Sequence, residues 1–63
     1  MKRKVYQDPY NGNKTWEVTK LSGGYYLKQF IKGKQFGRGL RTTKKNLEKI
    51  GIFEMDCIKI IND

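Results

Sequence analysis

The fold of this chain is decided by residues 25–40, which read YYLKQFIKGKQFGRGL. Aromatic and β-branched side chains fill the first half of this stretch, and a Lys-Gly pair at 32–33 interrupts it. Such a pattern predicts two antiparallel strands joined by a two-residue turn. A turn of that length sets the register of the hairpin, and it pairs Ile31 with Lys34, Gln29 with Phe36, Leu27 with Arg38, and Tyr25 with Leu40 on one largely apolar face.

The opposite face of the predicted hairpin is basic and aromatic. Aromatic rings alternate with lysines on its first strand, and a pair of glycines lies beside them on the second. Glycines within a strand often mark a bulge or the close approach of another backbone. This face carries Tyr26, Lys28, Phe30 and Lys32 on one strand and Gln35, Gly37, Gly39 and Arg41 on the other.

Two further strands are predicted before the hairpin. Residues 15–21 form one of them, and a turn at 22–24 connects it to the hairpin. Residues 3–7 form the other, because the turn cluster at 9–13 separates them from residue 15. The centre of the chain is therefore an antiparallel meander of three strands with the opening stretch as a fourth.

A short helix is predicted after the hairpin, over residues 43–50. Thr42-Thr43 supplies an N-cap and Gly51 a suitable residue after the last turn. Leu47 and Ile50 fall on one side of this helix, so we expect both of them to cover the apolar face of the sheet.

The last apolar segment, residues 52–61, fits either a strand or a helix. Its alternating residues suit a strand, while a three-four spacing of apolar side chains suits a helix. Four isoleucines in this segment favour the strand. The prediction is an α+β domain over residues 1–63, a small antiparallel sheet of three to five strands packed against one short helix in the order β-β-β-β-α-β. The alternative is a small SH3-like barrel closed by the last segment.

Composition narrows the function classes. The chain has 63 residues, no histidine and one cysteine, Cys57, which lies in an apolar run and is expected to be a buried thiol. These residues offer no usual zinc site and no histidine-based catalytic pair, so we expect no enzyme, no metal and no cofactor. The sequence lacks a secretory signal, a segment of about 20 apolar residues and a partner for a disulfide, which predicts a cytoplasmic protein without a membrane span.

Charge points to a polyanionic partner. The net charge is +8, and residues 28–49 hold eight basic side chains against one acid, whereas the other 41 residues carry six against five. Basic side chains neutralise phosphates and aromatic rings stack on bases, so the pattern predicts a nucleic-acid interface. Lys44 and Lys45 oppose the helix dipole unless they hold an anion. The candidate interface residues are Tyr26, Lys28, Phe30, Lys32, Lys34, Arg38, Arg41, Lys44 and Lys45.

The order of these segments resembles the sheet-reading DNA-binding domains of tyrosine recombinases, the arm-binding type, and of plant ethylene-response proteins. In those families a three-stranded sheet enters the major groove and a helix backs it, so the resemblance implies DNA binding by the sheet. It covers residues 15–51, and the segments that carry it are Trp16-Glu17-Val18, residues 25–31, Lys32-Gly33-Lys34, Phe36-Gly37, and residues 41–45 entering a helix.

The segment over residues 52–61 departs from that resemblance. It would close a barrel similar to the small, basic archaeal seven-kilodalton chromatin proteins, which also implies DNA. The leading hypothesis is duplex binding by a protein of phage or mobile-element type. The alternatives are binding of RNA or single strands by stacking on Tyr26 and Phe30, and a protein-interaction module that docks an acidic partner.

Overall fold

The computed structural model describes residues 2–62 and consists mostly of strands. Among these residues, a single α-helix and a short 3₁₀ helix follow the fourth strand, and a fifth strand comes last. The elements are β1 (Lys2–Gln7), β2 (Lys14–Leu21), β3 (Gly24–Ile31), β4 (Lys34–Thr42), α1 (Lys44–Ile50), the 3₁₀ helix (Ile52–Glu54) and β5 (Asp56–Asn62).

The five strands form one antiparallel sheet in the order β4-β3-β2-β1-β5. Hairpins connect β1 to β2, β2 to β3 and β3 to β4, so these four strands lie side by side in sequence order. The last strand, β5, returns to pair with β1, which leaves β4 and β5 as the two edge strands. A small antiparallel sheet with one short helix is thus confirmed. The predicted order of elements is not met in full, because the 3₁₀ helix Ile52–Glu54 separates α1 from β5.

The turn between β3 and β4 sets the start of the hairpin as the sequence predicts. Lys32 has φ of 52° and Gly33 has φ of 81°, the two positive values that suit a tight turn between twisted strands. Ile31 pairs with Lys34 and Gln29 with Phe36, so the predicted register is confirmed for the part of the hairpin next to the turn.

Further from the turn the predicted register is wrong. Leu27 pairs with Leu40 rather than with Arg38, because the ladder shifts between Leu27 and Gln29. The extra length of β4 is absorbed around residues 37–39, where Gly37 has φ of 74°, a left-handed value that glycine adopts without strain.

The second wrong pair is shifted by the same amount, since Tyr25 lies opposite Thr42 rather than Leu40. A shift of two residues keeps each side chain on its predicted face, because strand side chains alternate with a period of two. The faces of the hairpin are therefore preserved although two of the predicted pairs are not.

Helix α1 begins one residue later than predicted. Thr43 is its extended N-cap residue, and the Thr43 side chain accepts a hydrogen bond from the Asn46 backbone N–H at 3.2 Å. Gly51 ends the helix with φ of 87°, and its N–H donates to the Leu47 and Glu48 carbonyls. Helices commonly end at a residue in this left-handed conformation, which has a higher conformational energy for any residue other than glycine.

The core lies between one sheet face and the two helices. Tyr6, Val18 and Leu27 share that face by their register, and Leu47 and Ile52 cover them with no exposed surface of their own. We call this side of the sheet the covered face. The small number of buried side chains gives each of them a large share of the stability.

Three expectations for the last third of the chain are corrected. Ile50 is 42% exposed and does not cover the sheet, because Ile52 takes that place from the 3₁₀ helix. The last strand begins only at Asp56, not at residue 52. Cys57 is exposed rather than buried, since it lies on an edge strand.

The loop between β1 and β2 is organised by one carboxylate. Asp8 Oδ1 accepts hydrogen bonds from the Tyr10 and Asn11 backbone N–H groups at 2.8 and 3.0 Å, and Oδ2 accepts one from the Trp16 indole at 3.2 Å. The hydrogen bond from the Tyr10 backbone, with those from Trp16 and Asn11 and the charge of Lys14, lowers the pKa of Asp8. The ionised form therefore holds the loop.

Candidate nucleic-acid interface

The second side of the sheet, which we call the open face, has no helix over it within residues 2–62. Residues that lie opposite one another in an antiparallel pair project to the same side, so the register defines this face. It carries Arg3, Val5 and Gln7 from β1, Thr15, Glu17 and Thr19 from β2, Tyr26, Lys28 and Phe30 from β3, and Gln35, Gly39 and Arg41 from β4.

Tyr26 is the best-defined aromatic group of the open face. Its ring lies directly over Gly39, where an added Cβ would overlap the ring atoms. The Lys28 ammonium lies 5.8 Å from the centroid of the same ring, within the range of a cation–π contact. Glycine at 39 thus lets a flat ring lie against the backbone of β4.

Arg41 and Phe30 flank this ring along the hairpin. Arg41 is exposed and lies directly opposite Tyr26, while half-buried Phe30 lies between Thr15 and Gln35 in neighbouring strands. The structure therefore brings together four of the predicted interface residues, Tyr26, Lys28, Phe30 and Arg41.

The other predicted residues of the hairpin lie near its ends. Arg38 is exposed in the bulge at 37–39, where no residue of β3 pairs with it. Lys32 is exposed in the turn, and exposed Lys34 pairs with Ile31 on the covered side. These three basic groups surround the hairpin rather than form one surface with the open face.

Lys44 and Lys45 lie on α1, which packs on the covered face through Leu47. The cap of the helix is satisfied within the chain, because the Asn46 side chain also donates to the Thr42 hydroxyl at 2.8 Å. The structure does not bring the two lysines together with the open-face residues. The basic segment 28–49 is thus divided between two sides of the sheet.

An ion pair at the centre of the open face was missed by the sequence analysis. Arg3 Nη1 lies 3.5 Å from Glu17 Oε1, and Glu17 is only 7% exposed. The pairing of β1 with β2 places the two side chains on one face, a register that short-range turn signals do not give. Glu17 also lies directly opposite Lys28 in the β2–β3 ladder, so its carboxylate lies between two cations of the open face, those of Arg3 and Lys28.

Metal-binding geometry is absent from the part of the chain that the structure describes, where no three His, Cys, Asp or Glu side chains gather. Neither α1 nor the 3₁₀ helix, among these same residues, has the length and hydrophobicity that crossing a bilayer requires. Comparisons with protein-family models, curated proteins and solved structures find no match to this chain. The resemblance to sheet-reading DNA-binding domains stays a prediction.

Proposed function

We propose that this chain is a nucleic-acid-binding protein that contacts duplex DNA with the open face of the β3–β4 hairpin. The observation that carries the proposal is the uncovered row formed by Tyr26, Lys28, Phe30 and Arg41 on that face. Aromatic rings left on an uncovered sheet face, beside cations, are suited to contact sugars and bases while the cations contact phosphates.

The charge of the hairpin supports a polyanionic partner. Residues 24–42 hold five basic side chains and no acidic one. An acidic protein surface would also attract these basic side chains. Phosphate contacts differ because each of them releases counterions, so DNA binding weakens steeply as the salt concentration rises. The hairpin therefore has the composition of a phosphate-contacting element.

The shape of the hairpin supports a groove as its target. The β3–β4 pair ends the sheet on one side, because β4 is an edge strand, and the major groove of B-DNA, about 12 Å wide, admits a two-stranded ribbon. The bulge at 37–39 increases the local twist of β4 and exposes Arg38, whose guanidinium is suited to a bidentate contact with guanine. In this arrangement Arg41 approaches the bases from the open face, Arg38 reaches them from the bulge, and Tyr26 and Phe30 contact the sugars.

The test compares two phenylalanines of the same hairpin. Phe30 lies on the open face, whereas Phe36 lies on the covered side opposite Gln29 and is 60% exposed. Phe30→Ala is expected to weaken duplex binding by about 1 to 3 kcal/mol, the range for losing one aromatic contact, and Phe36→Ala to leave it unchanged. Fluorescence anisotropy with a labelled duplex gives the affinity, and urea unfolding of the same samples gives the stability.

Equal effects of the two substitutions on affinity would contradict the proposal. So would an affinity loss for Phe30→Ala that is accounted for by its unfolded fraction alone. A second comparison uses charge, with Arg38→Gln plus Arg41→Gln against Lys44→Gln plus Lys45→Gln. The arginine pair is expected to remove about two units of salt slope and the helix pair less, because α1 lies on the covered face.

The alternative partners are separated by the same assay. Duplex DNA, single-stranded DNA, RNA and heparin are titrated at several salt concentrations with the unmodified chain. Tighter binding of the duplex than of heparin at equal salt is expected. Equal binding to all of them would assign a generic polyanion binder and favour an acidic protein partner, and tighter binding of the single strands would assign stacking on Tyr26 and Phe30.

A further inference from the structure

A second basic site lies on the covered face, away from the hairpin. A cleft of about 320 Å³ opens there, and Lys2, Lys4 and Lys20 line it around buried Val18. Lys4 lies directly opposite Val18 in the β1–β2 ladder, and Lys20 follows Val18 by two residues on the same face. We call this the basic cleft. None of its lysines belongs to the basic segment 28–49.

Aromatic rings form one wall of the basic cleft. Phe53 of the 3₁₀ helix contacts Tyr6 and Tyr25 edge-to-face, with ring centroids 6.3 and 6.2 Å apart. Phe53 is 40% exposed, so part of its ring is open to the cleft. Burial, with smaller effects of the Cys57 and Tyr25 charges, raises the pKa of Tyr6.

The charges of the basic cleft are not balanced by its own lining. Three ammonium groups surround one space, and no carboxylate is among the described residues that line it. Like charges on one sheet face repel one another, so an anion in the cleft would lower the energy of the fold as well as bind. The volume is at the lower end of the range of about 300 to 1,000 Å³ for small-molecule sites.

We propose that the basic cleft binds a nucleotide unit, with the phosphate held by Lys4 and Lys20 and the base placed against Tyr25 and Phe53. A bare anion would contact the lysines but not the aromatic rings, so the combination of cations and an aromatic wall favours a nucleotide over a bare anion. The unit comes either from a free mononucleotide or from the phosphorylated end of a strand. This site lies on the opposite side of the sheet from the proposed duplex surface, and it does not depend on that function.

The experiment is a titration of ¹⁵N-labelled chain with AMP, adenosine and inorganic phosphate in parallel. AMP is expected to shift the backbone amides of Lys4, Val18, Lys20, Tyr25 and Phe53 and to raise the thermal midpoint. Adenosine and phosphate alone are each expected to bind about tenfold more weakly than AMP, since each makes half of the contacts.

The variant is Lys4→Gln plus Lys20→Gln, which removes two exposed ammonium groups and leaves the core intact. It is expected to weaken AMP binding about tenfold or more. The matched control is Lys45→Gln plus Lys49→Gln, two exposed lysines of α1 with the same change of net charge outside the cleft, and it is expected to keep the affinity. A duplex titration of both double variants reports separately on the open face.

Equal weakening in the variant and the control would overturn the proposal, as would AMP-induced shifts centred on β3 and β4. Equal affinity for AMP and phosphate would overturn the nucleotide assignment, and Phe53→Leu checks this by reducing only the base contribution. Two trinucleotides, one with a 5′-phosphate and one with a 5′-hydroxyl, distinguish the end of a strand from a free nucleotide as the source of the ligand. Tighter binding of the phosphorylated trinucleotide than of AMP supports a strand end, and the reverse order supports a free nucleotide.

Discussion

Leu47→Ala tests the assignment of the core most directly. Leu47 is the only buried side chain of α1 and has no exposed surface. Its neighbour in the core, Ile52, is equally buried and already packed, so few side chains can move into the cavity that the missing methyl groups leave. Truncating a leucine in such a site costs about 3 to 4 kcal/mol.

That loss is large for this chain. A domain of 63 residues has a total stability of roughly 3 to 9 kcal/mol, so this loss removes about a third of the stability or more, and at the lower end of the range it unfolds the chain. Urea unfolding followed by the fluorescence of Trp16, the single tryptophan, measures the midpoint. Far-UV circular dichroism on the same samples reports whether the sheet is lost together with the helix.

The matched substitution is Ile50→Ala, three residues later on the same helix. Ile50 is 42% exposed, and alanine is the better helix former, so the expected cost is less than about 1 kcal/mol. The reasoning is refuted if the two substitutions cost the same, because α1 would then pack on the sheet through a broader face than the one shown.

Three further predictions follow from local geometry. Gly39→Ala is expected to lower the free energy of unfolding in urea by about 1 to 2 kcal/mol, because the added Cβ displaces the Tyr26 ring. The same substitution should cost clearly less in a Tyr26→Ala background. Additive costs of the two substitutions would contradict the contact. Because the pKa of Asp8 is lowered, its carboxylate stabilises the fold at pH values above the ordinary pKa of 3.8, and this stabilisation is lost as the pH falls through the folded-state pKa. Asp8→Asn should therefore make the urea midpoint less dependent on pH in the acid range. An unchanged profile would exclude the loop carboxylate as the cause. Exposed Cys57 is expected to react with a thiol reagent as fast in the folded chain as in urea, whereas protection in the folded chain would restore the buried thiol of the sequence prediction.

The features that were predicted correctly are local ones. The Lys32-Gly33 turn, the Thr43 cap and the Gly51 helix end each depend on a few neighbouring residues whose backbone preferences decide the geometry. The alternation of residues 25–31 likewise gave the two faces of the hairpin. The placement of Tyr26, Lys28 and Phe30 on one face follows from these signals alone.

The features that were predicted wrongly depend on distant packing. Ile50 and Ile52 are equally apolar, and only the arrival of the chain after Gly51 decides that Ile52 enters the core. Cys57 lies in an apolar run but on an edge strand, where one side has no neighbour. The basic cleft unites residues from both ends of the chain, so no local pattern indicates it.

The bulge in β4 connects the core with the open face. In the unbroken register Leu27, which is 4% exposed, would lie opposite Arg38, and a guanidinium would have to approach the covered face. Two extra residues at 37–39 replace Arg38 with Leu40 in that position and expose Arg38. The same shift places Arg41 directly opposite Tyr26, a position that Gly39 would hold in the unbroken register. One irregularity therefore removes a charge from the core row, while Arg41 keeps its face and lies opposite Tyr26. Restoring the regular register would bring Arg38 back opposite Leu27 and lower the stability.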